Sequence, residues 1–213
     1  MRVVLIPMKP LAAAKERLAP ALSTDERRRL SLAMLADVIA AARGFDRVWV
    51  LNSDADAAGL ARDAGVEAVP DPTPGAGLNA SLSAATRAAI ADGAGGVLIV
   101  SADLPSARAD DLIALAASTG VALAPDRAGV GTNAMWRSPG DQIDVAFGPN
   151  SLAAHAERAR AAGTPALVAS RPGLALDVDT PDDLAEAWRH GVGSATRKAL
   201  EELGITARLR LAG

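Results

Sequence analysis

The chain has 213 residues, half of them hydrophobic and 22% charged, with a formal charge of −3, two histidines and no cysteine. That length suits one domain, residues 1–213, with a substantial core. The composition excludes a disordered chain, disulfides, thiolate metal sites and a cysteine nucleophile, and it offers no general basic surface to nucleic acid.

The chain opens on a strand, Arg2–Ile6, whose apolar run stops at Pro7 and is too short for a signal-peptide core. A helix over Ser23–Arg43 starts on Ser23-Thr24-Asp25-Glu26, a capping box, and is closed by Gly44 as C′. Its apolar part, Leu30 to Ala42, carries Asp37 and is well short of a membrane span. No membrane partner is therefore expected, and the expected location is cytoplasmic. Strand Arg47–Leu51, helix Ala55–Ala64, strand Val66–Val69, helix Asn79–Asp92 and strand Val97–Val100 continue the alternation. Helix Ala109–Ala117 and strands Val121–Ala124 and Asn133–Trp136 follow, then helix Ser151–Ala162 and strands Ala166–Ala169 and Leu174–Leu176. Helices Pro181–Arg189, with Pro181 at N1 after Thr180, and Ser194–Leu203 end the series.

Alternating strands and helices predict an α/β fold with a mostly parallel sheet covered on both faces. The loops at the carboxyl ends of its strands are where such folds hold ligands. The segments 7–18, 71–79, 103–105 and 177–180 all fall there. The less regular second half is expected to extend the same domain over that site.

Six segments carry chemistry. Two of the chain's three lysines, Lys9 and Lys15, follow the first strand with Arg17 close by. Ammonium and guanidinium groups can neutralise triphosphate oxygens, although a solvated basic loop has the same composition. No Gly-x-x-x-x-Gly-Lys loop is present. In Asp71–Asn79, glycines let the backbone approach a ligand and Asn79 offers a donor and an acceptor; alone, Asn79 is equally an N-cap. Asp103 ends the apolar run Val97–Val100, and Asp177-Val178-Asp179 follows another. These are hard oxygen ligands of the kind Mg²⁺ takes. An extended backbone would send the Asp177 and Asp179 carboxylates to one side, and two metals about 3.5–4 Å apart could then bridge reacting phosphates. A single such Asp would be read as a helix cap. Gly129–Asn133 and Phe147–Ser151 each join a tight turn to a hydroxyl, and Ser151 begins a helix whose N–H groups attract anions. His155 is placed to pack or to orient Ser151, and the helix end explains His190.

Pro7-Met8-Lys9-Pro10-Leu11, Lys15-Glu16-Arg17-Leu18, Gly77-Leu78-Asn79, Asp103-Leu104-Pro105, Pro125-Asp126, Gly131-Thr132-Asn133, Phe147-Gly148-Pro149-Asn150-Ser151 and Asp177-Val178-Asp179-Thr180-Pro181 together resemble the 2-phospholactate/phosphoenolpyruvate guanylyltransferases of coenzyme F-420 biosynthesis. The resemblance runs from residue 3 to about 190. It implies a single-domain GT-A-like nucleotidyltransferase fold, GTP as co-substrate, Mg²⁺ as cofactor and a small phosphorylated three-carbon acid as acceptor. It also implies coupling to the next enzyme of the pathway. On the matching positions, Asp103, Asp177 and Asp179 would hold metal, with Lys15 and Asp103 catalytic. Lys9, Lys15, Arg17, Gly77 and Asn79 would face the nucleotide, while Thr132, Gly148 and Ser151 would hold the acceptor's carboxylate end. The competing readings are another GT-A nucleotidyltransferase, acting on a sugar phosphate or molybdopterin-like acceptor, and a non-catalytic nucleotide-binding protein. The first usually opens on a glycine-rich loop, which this chain lacks.

Overall fold

The computed structural model describes residues 1–8, 10–11 and 15–209. Seven strands form one sheet: β1 (Arg2–Pro7), β2 (Arg47–Asn52), β3 (Glu67–Pro70), β4 (Gly96–Val100), β5 (Gly120–Pro125), β6 (Thr132–Ser138) and β7 (Leu167–Val168), in the order β3-β2-β1-β4-β6-β5-β7. All neighbouring pairs are parallel except those made by β6, which runs antiparallel to both β4 and β5. This inversion matters for function. It brings the start of β6 alongside the end of β4, where Ala134 pairs with Val100 and the Ser101 N–H donates to the Asn133 carbonyl.

Side chains alternate across β1. Val4 and Ile6 pack against α1 (Thr24–Ala42), α2 (Ala55–Asp63) and α4 (Ala109–Ala116). Val3 and Leu5 pack on the other face against α3 (Leu78–Ala91) and α5 (Ser151–Ala161). A strand buried on both faces must be apolar throughout, and Val3–Ile6 are fully buried. A third cluster lies beside the sheet, where Leu30 and Met34 of α1 meet Leu184 and Ala187 of α7 (Pro181–His190). Leu200 of α8 (Ser194–Glu202) and Ile205 of α9 (Ile205–Arg208) complete it. Leu18 and Val178 also belong to this cluster, so the N-terminal and the acidic loop segments share one core.

One expectation needs correction. Leu174–Leu176 is not a strand: Pro172–Ala175 forms a single helical turn, α6, with Pro172 in its first turn. Gly173 fits tightly there, since a methyl on it would lie 2.6 Å from the Ser106 carbonyl oxygen. Gly44 follows α1 as C′, as expected, with a φ outside the left-handed region. The helix instead ends on a weak Arg43 N–H to Ala40 carbonyl contact at 3.5 Å, and Ile113 packs over Gly44.

Candidate active site

Asp103 stands in the turn after β4, and Asp177 and Asp179 stand in an extended segment just before α7. A backbone hydrogen bond, Val178 N–H to the Asp103 carbonyl at 3.1 Å, ties the two segments. Leu176 and Val178 point into the core while Asp177 and Asp179 are half-buried, the period-two alternation that an extended backbone requires. One carboxylate oxygen from each aspartate lies within 4.8 Å of the others. Three oxygens drawn from two distant segments of the chain fit a hard divalent cation such as Mg²⁺.

Lys15 closes this cluster. Its Nζ is 2.5 Å from Asp103 Oδ2 and 2.8 Å from Asp179 Oδ1, with the side chain 10% exposed. Burial pulls the ammonium pKa down, but the Asp103 and Asp179 carboxylates outweigh that and hold it above its ordinary value. Lys15 is thus a permanent cation. Its backbone is left-handed, φ 54 and ψ 45, one of two non-glycine residues with positive φ among those described. Such conformations persist where surrounding contacts enforce them. Asp177 has a raised pKa, first from burial and then from the neighbouring Asp103 charge.

Asn133, whose role the sequence did not reveal, connects the acidic cluster to β6. Its Nδ2 donates to the Leu174 carbonyl at 3.0 Å, to the Ala175 carbonyl at 3.3 Å and to Asp177 Oδ1 at 3.2 Å. Only its place at a strand start, beside Thr132, could have signalled this. Thr132 and Ser151 meet next to it: the Thr132 N–H donates to Ser151 Oγ at 2.9 Å. Gly148, with φ 139, turns the chain into α5. The expectation of open N–H groups at this helix start is only partly met. The Ser151 N–H goes to the Gly148 carbonyl at 3.2 Å and the Leu152 N–H to the Val130 carbonyl at 3.1 Å.

The remaining candidates are less concentrated. Gly77 is the N-cap of α3, exposed, with φ 89. Asn79 spends its amide internally: Nδ2 donates to the Phe147 carbonyl at 2.9 Å and Oδ1 accepts the Phe147 N–H at 2.8 Å. It therefore joins α3 to the loop of Gly148. Arg17 is exposed in the 3₁₀ turn Glu16–Leu18 beside Lys15. Lys9 lies outside the described residues. His155, expected to pack or to orient Ser151, is buried against Phe147, and its ring nitrogen meets Thr132 Oγ1.

The sheet order and the site at its carboxyl edge define the nucleotidyltransferase class of α/β fold. A solved structure from Desulfovibrio desulfuricans G20 superposes with a TM-score of 0.79 at 20% identity, covering 98% of this chain and 96% of that one. A nucleotidyl transferase from Methanothermobacter thermautotroptrophicus gives 0.64 at 18% identity over 89% of this chain and 97% of its own. The family model described as guanylyl transferase CofC-like matches residues 1–212. A phosphoenolpyruvate guanylyltransferase of Sphaerobacter thermophilus is 41% identical over 201 residues, 91% of this chain and 96% of that protein. This chain belongs to the CofC-like guanylyl transferase family.

Proposed function

We propose that the protein transfers GMP from GTP to the phosphate of a small phosphorylated three-carbon acid, phosphoenolpyruvate or 2-phospho-L-lactate, releasing pyrophosphate. The observation that carries this reading is the convergence of Asp103, Asp177 and Asp179 on one point with the Lys15 ammonium among them. Family membership and the relative's printed activity support the donor and the acceptor.

An acceptor phosphate oxygen attacks the α-phosphorus of GTP in line, and the bond from that phosphorus to the β-phosphate oxygen breaks. The acceptor phosphate is largely dianionic at neutral pH, so no base is needed. This agrees with Lys15 staying protonated. The difficulty is bringing two polyanions together, and Lys15 offsets part of that repulsion. Asp103, Asp177 and Asp179 would hold Mg²⁺, which when bound neutralises phosphate charge and polarises the reacting phosphoryl group. The hydroxyls of Thr132 and Ser151 would grip the acceptor's carboxylate, setting its phosphate toward the cluster.

The test is direct. Protein, GTP and Mg²⁺ are incubated with phosphoenolpyruvate, 2-phospho-L-lactate or a sugar phosphate, and pyrophosphate is measured. Release with a three-carbon acid alone, and loss of at least about a hundredfold in Asp103→Asn or Asp179→Asn, is expected. Pyrophosphate with the sugar phosphate only, or near-normal rates in either variant, overturns the assignment.

A further inference from the structure

The segment between Ile143 and Phe147 has no regular structure, yet side chains fasten it along its length. Arg137 Nη1 donates to the Ile143 carbonyl at 2.9 Å, Arg158 Nη1 to the Val145 carbonyl at 2.6 Å, and Asn79 takes both polar groups of Phe147. The remaining contact is the informative one. The Ala146 N–H donates to His155 Nε2 at 2.8 Å. An amide N–H can only donate, so Nε2 carries no proton and the single ring proton of a neutral imidazole lies on Nδ1.

Nδ1 is 3.0 Å from Thr132 Oγ1. With the proton on Nδ1, the Thr132 oxygen accepts, and its own O–H proton must go elsewhere. Ser151 Oγ is in the same position, because it already accepts the Thr132 N–H. Among the described residues neither hydroxyl donates to a protein acceptor. Phe147 packs edge-on against the imidazole at 4.9 Å, and His155 is fully buried, so the ring is held in this sense. Burial, then the Arg158 and Arg137 charges, push its pKa down to about 4, which keeps the ring neutral near pH 7.

We propose that His155 is a positioning residue whose Nδ1–H tautomer, imposed by the Ala146 amide, makes Thr132 an O–H donor beside Ser151, whose oxygen the Thr132 N–H occupies, so that the two hydroxyls select a carboxylate on the acceptor. The inference rests on the guanylyl-transfer reading for the identity of that ligand, but its hydrogen-bond logic is independent of turnover. Reversing the tautomer would turn the Thr132 hydroxyl inward as a donor to the ring and present a lone pair to the incoming anion. His155 touches neither substrate; it acts through Thr132.

Two substitutions separate its two ring nitrogens. In His155→Asn the amide nitrogen takes the place of Nδ1 and keeps the donation to Thr132. In His155→Gln the amide oxygen reaches the Ala146 N–H but leaves Thr132 without its donor. The structure predicts that His155→Gln raises KM for the phosphorylated acid roughly tenfold, the loss of a hydrogen bond to a charged group. The GTP KM should stay within about twofold, and His155→Asn should remain near wild type in acceptor KM. Nitrogen-15 NMR of the imidazoles reads the tautomer directly. With only two histidines in the chain, a His190 substitution assigns both spectra.

A protonated Nε2 in the wild-type protein overturns the proposal, as does an equal rise of acceptor and GTP KM in the Gln variant or an Asn variant as impaired as Gln. If no acceptor yields pyrophosphate, the transfer reading fails alone. The tautomer, and the effect of the two variants on phosphoenolpyruvate affinity by calorimetry, still decide the role of His155.

Discussion

Asp177 illustrates the tension between site and fold at the scale of one residue. Its carboxyl is half-buried and faces Asp103, which raises its pKa, so the folded chain holds that proton more tightly than the unfolded one. Stability therefore falls as pH rises through that window, and the charge is a cost at neutral pH. Asp177→Asn is expected to raise Tm without divalent ions while abolishing turnover. Added Mg²⁺ should raise Tm of the wild type but not of the variant, measured by thermal denaturation. His155 works in the opposite sense. Its pKa falls from 6.5 in the unfolded chain to about 4 in the fold, so the unfolded state binds more protons between those values. Stability is complete above about pH 6.5 and declines toward pH 4, by at most about 3 kcal/mol. Urea titrations across that range should show a decline that His155→Asn flattens. The three aspartates were legible in the sequence because each lies within two residues of a proline or directly after an apolar run, a local signal. The duties of Asn79, Asn133 and His155 were not, since their partners lie 68, 44 and 23 residues away.

Helix ends supply the next level of control. Thr180 caps α7 in a reciprocal box with Asp183, and Asp183 Oδ2 also accepts the Asp179 N–H at 3.3 Å. The cap therefore fixes the backbone of a metal-binding candidate, and Thr180→Ala should cost about 1 kcal/mol in urea unfolding. α8 is capped from another helix altogether. Asp37 of α1, 6% exposed, accepts the Ala195 and Thr196 N–H groups at 3.0 and 2.9 Å, and Gly193 leaves room for its carboxylate. Asp37→Ala strands two donors and should destabilise by about 2–4 kcal/mol, with Asp37→Asn losing less, since one oxygen remains. The capping box of α1, Ser23 with Glu26, was read from four adjacent residues, whereas at Thr180 only Pro181 at N1 was read. The cap made by Asp37 could not, and in sequence that residue served only to argue against a membrane span.

Across the whole molecule, the sheet is two halves joined at the β4–β6 pair. Gly96 begins β4 beneath Trp136 of β6, and a methyl there would overlap the indole ring, whose Nε1 donates to the Ser118 carbonyl at 2.9 Å. Gly96→Ala should destabilise the protein by about 1–3 kcal/mol through overpacking, seen as a lower urea midpoint. The alternating pattern announced the parallel half, because each β-α step is local in sequence. The inverted β6 was not announced, since a short apolar strand reads alike in both directions.

The run from Ile143 to Phe147 has a consequence for how this enzyme can vary. Rivets at nearly every position act like the marks on a ruler. Adding or deleting one residue there would put every later fastening out of phase, and Gly148 with its neighbours would arrive a step early or late. On the proposed acceptor-binding role of this loop, change in what it accepts is expected through substitution at fixed spacing and not through loop length.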